Sequence, residues 1–74
     1  MTKLDSNILK FIIASISEFA KKYDISQKQA YNYLVRFKGF SHLTEFYNIL
    51  HTQSFEDNVE VLAEICQLNG GQIR

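Results

Sequence analysis

Few side chains in this sequence are suited to chemistry: His42, His51, Cys66, and the carboxylates Glu56, Asp57, Glu60 and Glu64. A structural zinc site draws its Cys and His ligands from close pairs in the chain. Here His42 and His51 stand nine residues apart and Cys66 fifteen further on, so neither a metal nor a cofactor is expected. Glu56, Glu60 and Glu64 recur at i, i+4 and i+8, one face of a helix. Paired carboxylates do acid–base work when burial drives their pKa values apart; a solvated row at this spacing suits a basic partner. Cys66 falls on an apolar stripe, where a thiol behaves as a small hydrophobe rather than a reactive thiolate. Ser41-His42 and His51-Thr52-Gln53-Ser54 lie between apolar runs, where Ser and Thr cap helices. The sequence has no Gly-rich phosphate loop and no nucleophile elbow. The expectation is a chain with no catalytic residues and no enzymatic activity.

The elements that must carry these residues are short. A chain of 74 residues makes one domain, 1–74, and buries only about 60% of its unfolded surface, which leaves little room for a deep cleft. Six Phe and four Tyr supply the core, while a single Cys excludes an internal disulfide and points to the cytoplasm. The apolar stretch Ile8–Ile16 is broken by Lys10 and Ser15 and falls short of the about 20 residues of a membrane span. Net charge is zero but unevenly spread. Residues 1–38 hold seven basic and three acidic side chains, and residues 39–74 one basic and five acidic.

Apolar residues repeat with helical period between turn signals at Asp24–Ser26, Gly39–Ser41 and Thr52–Ser54. The pattern predicts an all-α domain of four helices, orthogonal or bundle-like. The first runs from Ser6 to Tyr23, capped by Asp5 or Ser6. Its residues Ile8, Leu9, Ile12, Ile13, Ile16, Phe19, Ala20 and Tyr23 fall within an arc of about 140°. Phe11 falls on the polar side, as a lone exposed aromatic or part of a partner surface. So broad an apolar arc also suits a homodimer. The second helix spans Gln27–Lys38, with Ser26 and Gln29 as a capping box and Gly39 as the left-handed residue after its end. The third spans His42 to Leu50 or His51, capped by Ser41; the fourth spans Phe55–Asn69, capped by Ser54, with Glu56 and Asp57 facing the positive end of its dipole.

The stretch EFAKKYDISQKQAYNYL at 18–34 resembles a helix-turn-helix. Ala20 stands where the two helices must approach, Asp24 at the usual glycine of the turn, and Ile25 where an apolar residue plugs into the core. The resemblance implies a DNA-binding regulator in which Gln27, Lys28, Tyr31 and Asn32 face base edges, and Lys21, Lys22, Arg36 and Lys38 face phosphate. Zero net charge is unusual for a DNA binder of this size.

From Ile8 to Gly71 the chain also resembles a family of short bacterial proteins of unknown function. The residues that carry it are Phe11, Ile16, ISQKQAYNYL at 25–34 and FYNILHTQSFEDNVEVL at 46–62, an FYxxLHTxS-type motif; Asn48 departs from the acidic residue common there. The resemblance implies genes for ADP-ribosyltransferase-like toxins as neighbours, and with them an antitoxin-like or accessory role. It supplies no catalytic residues. Tyr47, His51 and Thr52 then read in two ways, as a junction fixing the angle between two helices or as a recognition spot. The expected function is a protein-interaction module with Tyr47, His51, Thr52, Glu56, Glu60 and Glu64 toward a protein partner, such as a toxin encoded nearby. The alternative is the DNA-binding regulator.

Overall fold

The computed structural model describes residues 6–72, and among them the chain forms helices and no strand. In order these are α1 (Ser6–Tyr23), α2 (Gln27–Arg36), α3 (Gly39–Glu45), α4 (Tyr47–Leu50) and α5 (Phe55–Leu68). Asp5, one of the two expected caps of α1, lies outside the described residues. The other, Ser6, is the first residue of the helix.

The long α1 is the centre of the packing and touches α2, α3 and α5; α3 also packs on both α2 and α5. Ile12, Ile16, Phe19 and Ala20 meet Ala30 and Leu34 of α2, Leu43 of α3, Leu50 of α4 and Val59, Leu62 and Cys66 of α5 in one cluster. Because α1 is covered on more than one side, its buried face is rotated from the predicted arc. Leu9 and Ile13, both inside that arc, stay exposed, while Ser15, outside it, is fully buried. Phe11, expected on the polar side, is half-buried and packs against the core.

Two turns obey capping chemistry closely. Asp24 adopts φ 55°; its N–H donates to the Lys21 carbonyl (3.3 Å) and the Ile25 N–H to the Ala20 carbonyl (3.0 Å). These are the paired bonds of a Schellman end, with Asp in the place glycine usually takes. Ser26 then starts α2 with the full capping box: Gln29 N–H donates to Ser26 Oγ and Ser26 N–H to Gln29 Oε1, both at 3.0 Å. The same Schellman pattern closes α5, through Gly70 (φ 94°) and the Gly71 N–H bond to the Cys66 carbonyl (2.8 Å).

The middle of the chain departs from expectation. α2 ends at Arg36, two residues early, and Lys38 rather than Gly39 takes the left-handed conformation (φ 71°). Gly39 instead opens α3 and is buried. A Cβ there would lie 2.6 Å from Leu34 Cδ2 and 3.1 Å from Cys66 Sγ, so the glycine is needed for close approach of three helices. The single third helix is two pieces broken at Phe46, and its expected cap Ser41 lies inside α3. One straight helix would bury Leu43, Phe46 and Leu50 on a common stripe. The break keeps Leu43 and Leu50 buried and leaves Phe46 exposed, its ring 4.7 Å from His42.

Candidate functional site

The FYxxLHTxS segment builds an aromatic seam joining α1, α4 and α5. Phe11 is its pivot. Its ring meets Tyr47 edge-on at 5.3 Å and stacks with Phe55 at 5.8 Å. The Tyr47 ring stacks in turn on His51 at 4.7 Å and 14°. His51 Nδ1 lies 2.9 Å from the Tyr47 carbonyl. A carbonyl only accepts, so Nδ1 carries the proton in this arrangement. Thr52 Oγ1 donates to the Ile49 carbonyl at 2.7 Å. Both side chains reinforce α4 carbonyls that also accept backbone N–H groups, Tyr47 from His51 (2.9 Å) and Ile49 from Thr52 (3.2 Å). Ser54 Oγ, accepting from the Asp57 N–H (3.1 Å), then starts α5. Asn58, fully buried, donates from Nδ2 to the Leu50 carbonyl (2.9 Å) and ties α5 to the end of α4.

Next to Phe55 a groove of about 360 Å³ runs between α1 and α5. Glu18, Lys21 and Lys22 form its α1 side; Phe55, Glu56, Val59 and Glu60 form the other. Lys21 Nζ lies 3.6 Å from Glu18 Oε2 with both side chains largely in water, a pair of small energetic worth. Around the flank of α5 a second depression is lined by Gln53, Asp57, Glu60, Val61 and Glu64. Glu60 belongs to both.

The predicted protein-binding residues therefore divide. Tyr47 and His51 come within one aromatic run of Glu56 and Glu60 through Phe11 and Phe55, Glu64 lies further along α5, and the Thr52 hydroxyl is turned onto the backbone. Of the predicted DNA-binding residues, Gln27, Lys28, Tyr31 and Asn32 share an exposed face of α2, and several of the set already have partners within the chain. Gln27 Nε2 donates to Ser17 Oγ at 3.1 Å, and the Tyr31 ring meets Phe40 edge-on at 5.7 Å. The Arg36 guanidinium lies over the Phe37 ring at 5.4 Å. Lys21 and Lys22, expected to meet phosphate, line a groove with three carboxylates.

Sequence inspection missed Phe11 and Phe55 as the hub of the seam, and Asn58. The signal for Asn58 was present: it stands three residues after Phe55 and four before Leu62, on the inward face of its helix. Cys66 is buried, and burial pushes its thiol up to about 11 against a smaller lowering by the Gly39 backbone N–H. It is a neutral thiol near pH 7, poorly placed to act as a nucleophile. Burial also raises the Tyr33 hydroxyl, with further contributions from Cys66 and Tyr23. Among the described residues no group of three or more His, Cys, Asp or Glu could hold a metal ion, and no helix is long and apolar enough to cross a membrane.

Residues 10–69 match the family described as Protein of unknown function (DUF3791), and the chain belongs to that family. No curated protein and no solved structure matches it.

Proposed function

We propose that this DUF3791 member is a non-enzymatic protein-interaction module of the cytoplasm, whose binding surface is the aromatic seam and the acidic flank of α5. One observation carries the choice. Phe55 lies beside Glu56 and Glu60 and is linked through Phe11 to Tyr47 and His51, whereas Lys21 and Lys22, nominated for phosphate, share their groove with Glu18, Glu56 and Glu60. The flank of α5 that carries Asp57, Glu60 and Glu64 has charge of one sign, which favours a protein partner of the opposite sign; the same carboxylates repel a phosphate backbone. The partner is a protein with a basic surface. In its finer form the reading is antitoxin-like, with the product of an adjacent toxin-like gene as that protein, on the strength of the family resemblance.

The test is a titration of the purified neighbouring gene product into the full chain, followed by calorimetry. A complex is expected, weakened at least tenfold by Asp57→Lys with Glu64→Lys. No detectable heat and no co-elution would overturn the antitoxin-like form. Duplex DNA from the chain's own promoter region is the counter-probe. A salt-sensitive DNA complex abolished by Lys28→Ala would favour the helix-turn-helix alternative.

A further inference from the structure

We infer that the groove between α1 and α5 is the docking site for a second copy of this chain. The inference goes beyond the partner reading and does not depend on it. The two walls of the groove differ in net sign: α1 carries Lys21 and Lys22 with Glu18 beside Lys21, a net positive wall, and α5 carries Glu56 and Glu60, a negative one, with Phe55 and Val59 on the same helix. In a two-fold interface the same patch faces itself. If the two-fold axis runs along the groove, the lysine wall of each copy lies over the glutamate wall of the other, and the Phe55 rings approach near the axis. A groove with one sign of charge would repel its own copy; this one is complementary to itself. A phosphate-bearing ligand would meet three carboxylates, and a purely basic protein would meet two lysines. A second copy supplies both signs in the required order.

A standard interface buries about 800 Å² per partner, roughly 15% of the surface of this molecule. Phe55 is 39% exposed although its ring already stacks on Phe11, so it offers a partner an anchored aromatic without a large ordering cost. The contacts on either side of it are charged and partly in water, so the dimer is expected to be weak, concentration-dependent and sensitive to salt.

Sedimentation equilibrium of the full chain over a hundredfold concentration range, at low and high salt, is the first measurement. Reversible dimerisation that weakens with salt is expected, and a monomer at every concentration overturns the inference. The second measurement uses charge reversal. Lys21→Glu with Lys22→Glu makes both walls acidic, and Glu56→Lys with Glu60→Lys makes both basic. Each variant alone should lose at least tenfold in self-association, and an equimolar mixture of the two should form a heterodimer tighter than the original homodimer. Glu56 also faces the positive end of α5, so Glu60→Lys alone is the gentler variant, and circular dichroism on each establishes that it is folded. A mixture that stays monomeric, or reversals that leave self-association unchanged, rules the groove out. Glu64→Lys lies outside the groove and should leave the dimer intact, which separates this result from failure of the partner reading.

Discussion

Asp24 and Lys38 hold left-handed backbone conformations, at φ 55° and 71°. Such a conformation costs a residue with a Cβ about 1–2 kcal/mol and costs glycine almost nothing. Asp24→Gly and Lys38→Gly are each expected to stabilise by about 0.5–1 kcal/mol, after allowance for the extra freedom glycine gives the unfolded chain. The readout is a higher urea midpoint at unchanged slope. Gly39→Ala should act in the opposite sense, by about 1–3 kcal/mol, because its methyl would press on Leu34 and Cys66. These neighbours explain why the sequence was partly illegible here. A glycine after a helix suits either a left-handed cap or a close approach, and residue type does not separate the two. Contact with Cys66, far along the chain, decides. Cys66 makes a prediction of its own. Its folded thiol titrates near 11, above the ordinary value of 9.0, so the folded state holds its proton where the unfolded chain has lost it. Stability is full below about pH 9 and declines as pH rises toward 11. Thermal melts should show this alkaline decline, shallower in Cys66→Ala, where Tyr33 alone remains to contribute.

Helix identity was legible wherever a local chemical signal marked an end. Ser26 with Gln29, Ser54, and Gly70 with Gly71 each stop or start a helix through bonds within a few residues, so spacing alone located them. The break at Phe46 has no such signal. Leu43, Phe46, Tyr47 and Leu50 read as one continuous stripe, and the interruption shows only in which of them the other helices cover. The candidate site was half legible for the same reason. Its motif residues were visible as a run, but Phe11 was assigned to solvent by a wheel that assumes one buried face. A helix packed on several sides has a wider one. Phe11→Ala is therefore expected to destabilise by about 3 kcal/mol, the lower end for a core aromatic since the ring is half-buried. Ile13→Ala, two residues on and 55% exposed, should cost less than about 1 kcal/mol. Equal effects in urea denaturation would show that the aromatic seam does not hold α1 to α4 and α5.

At the scale of the molecule, the charge asymmetry along the chain becomes an asymmetry between surfaces. α2 and the turn after it expose Lys28, Arg36 and Lys38, while α5 exposes Glu56, Asp57, Glu60 and Glu64. A neutral molecule with separated patches orients an approaching charged partner even though it has no net attraction for it. The effect appears mainly in the association rate, and it falls as salt screens the field within about 10 Å at 0.1 M. This separates the two proposed surfaces without a structure of either complex. If α5 meets a basic protein, Glu64→Lys slows association and flattens its dependence on salt, while Lys28→Glu changes neither. If α2 meets nucleic acid, the pattern inverts, because each lost phosphate contact removes about one unit from the salt slope. Stopped-flow association rates for the neighbouring gene product, measured at several salt concentrations with both variants, should show the first pattern. Slowing by Lys28→Glu alone would move the working surface from α5 to α2.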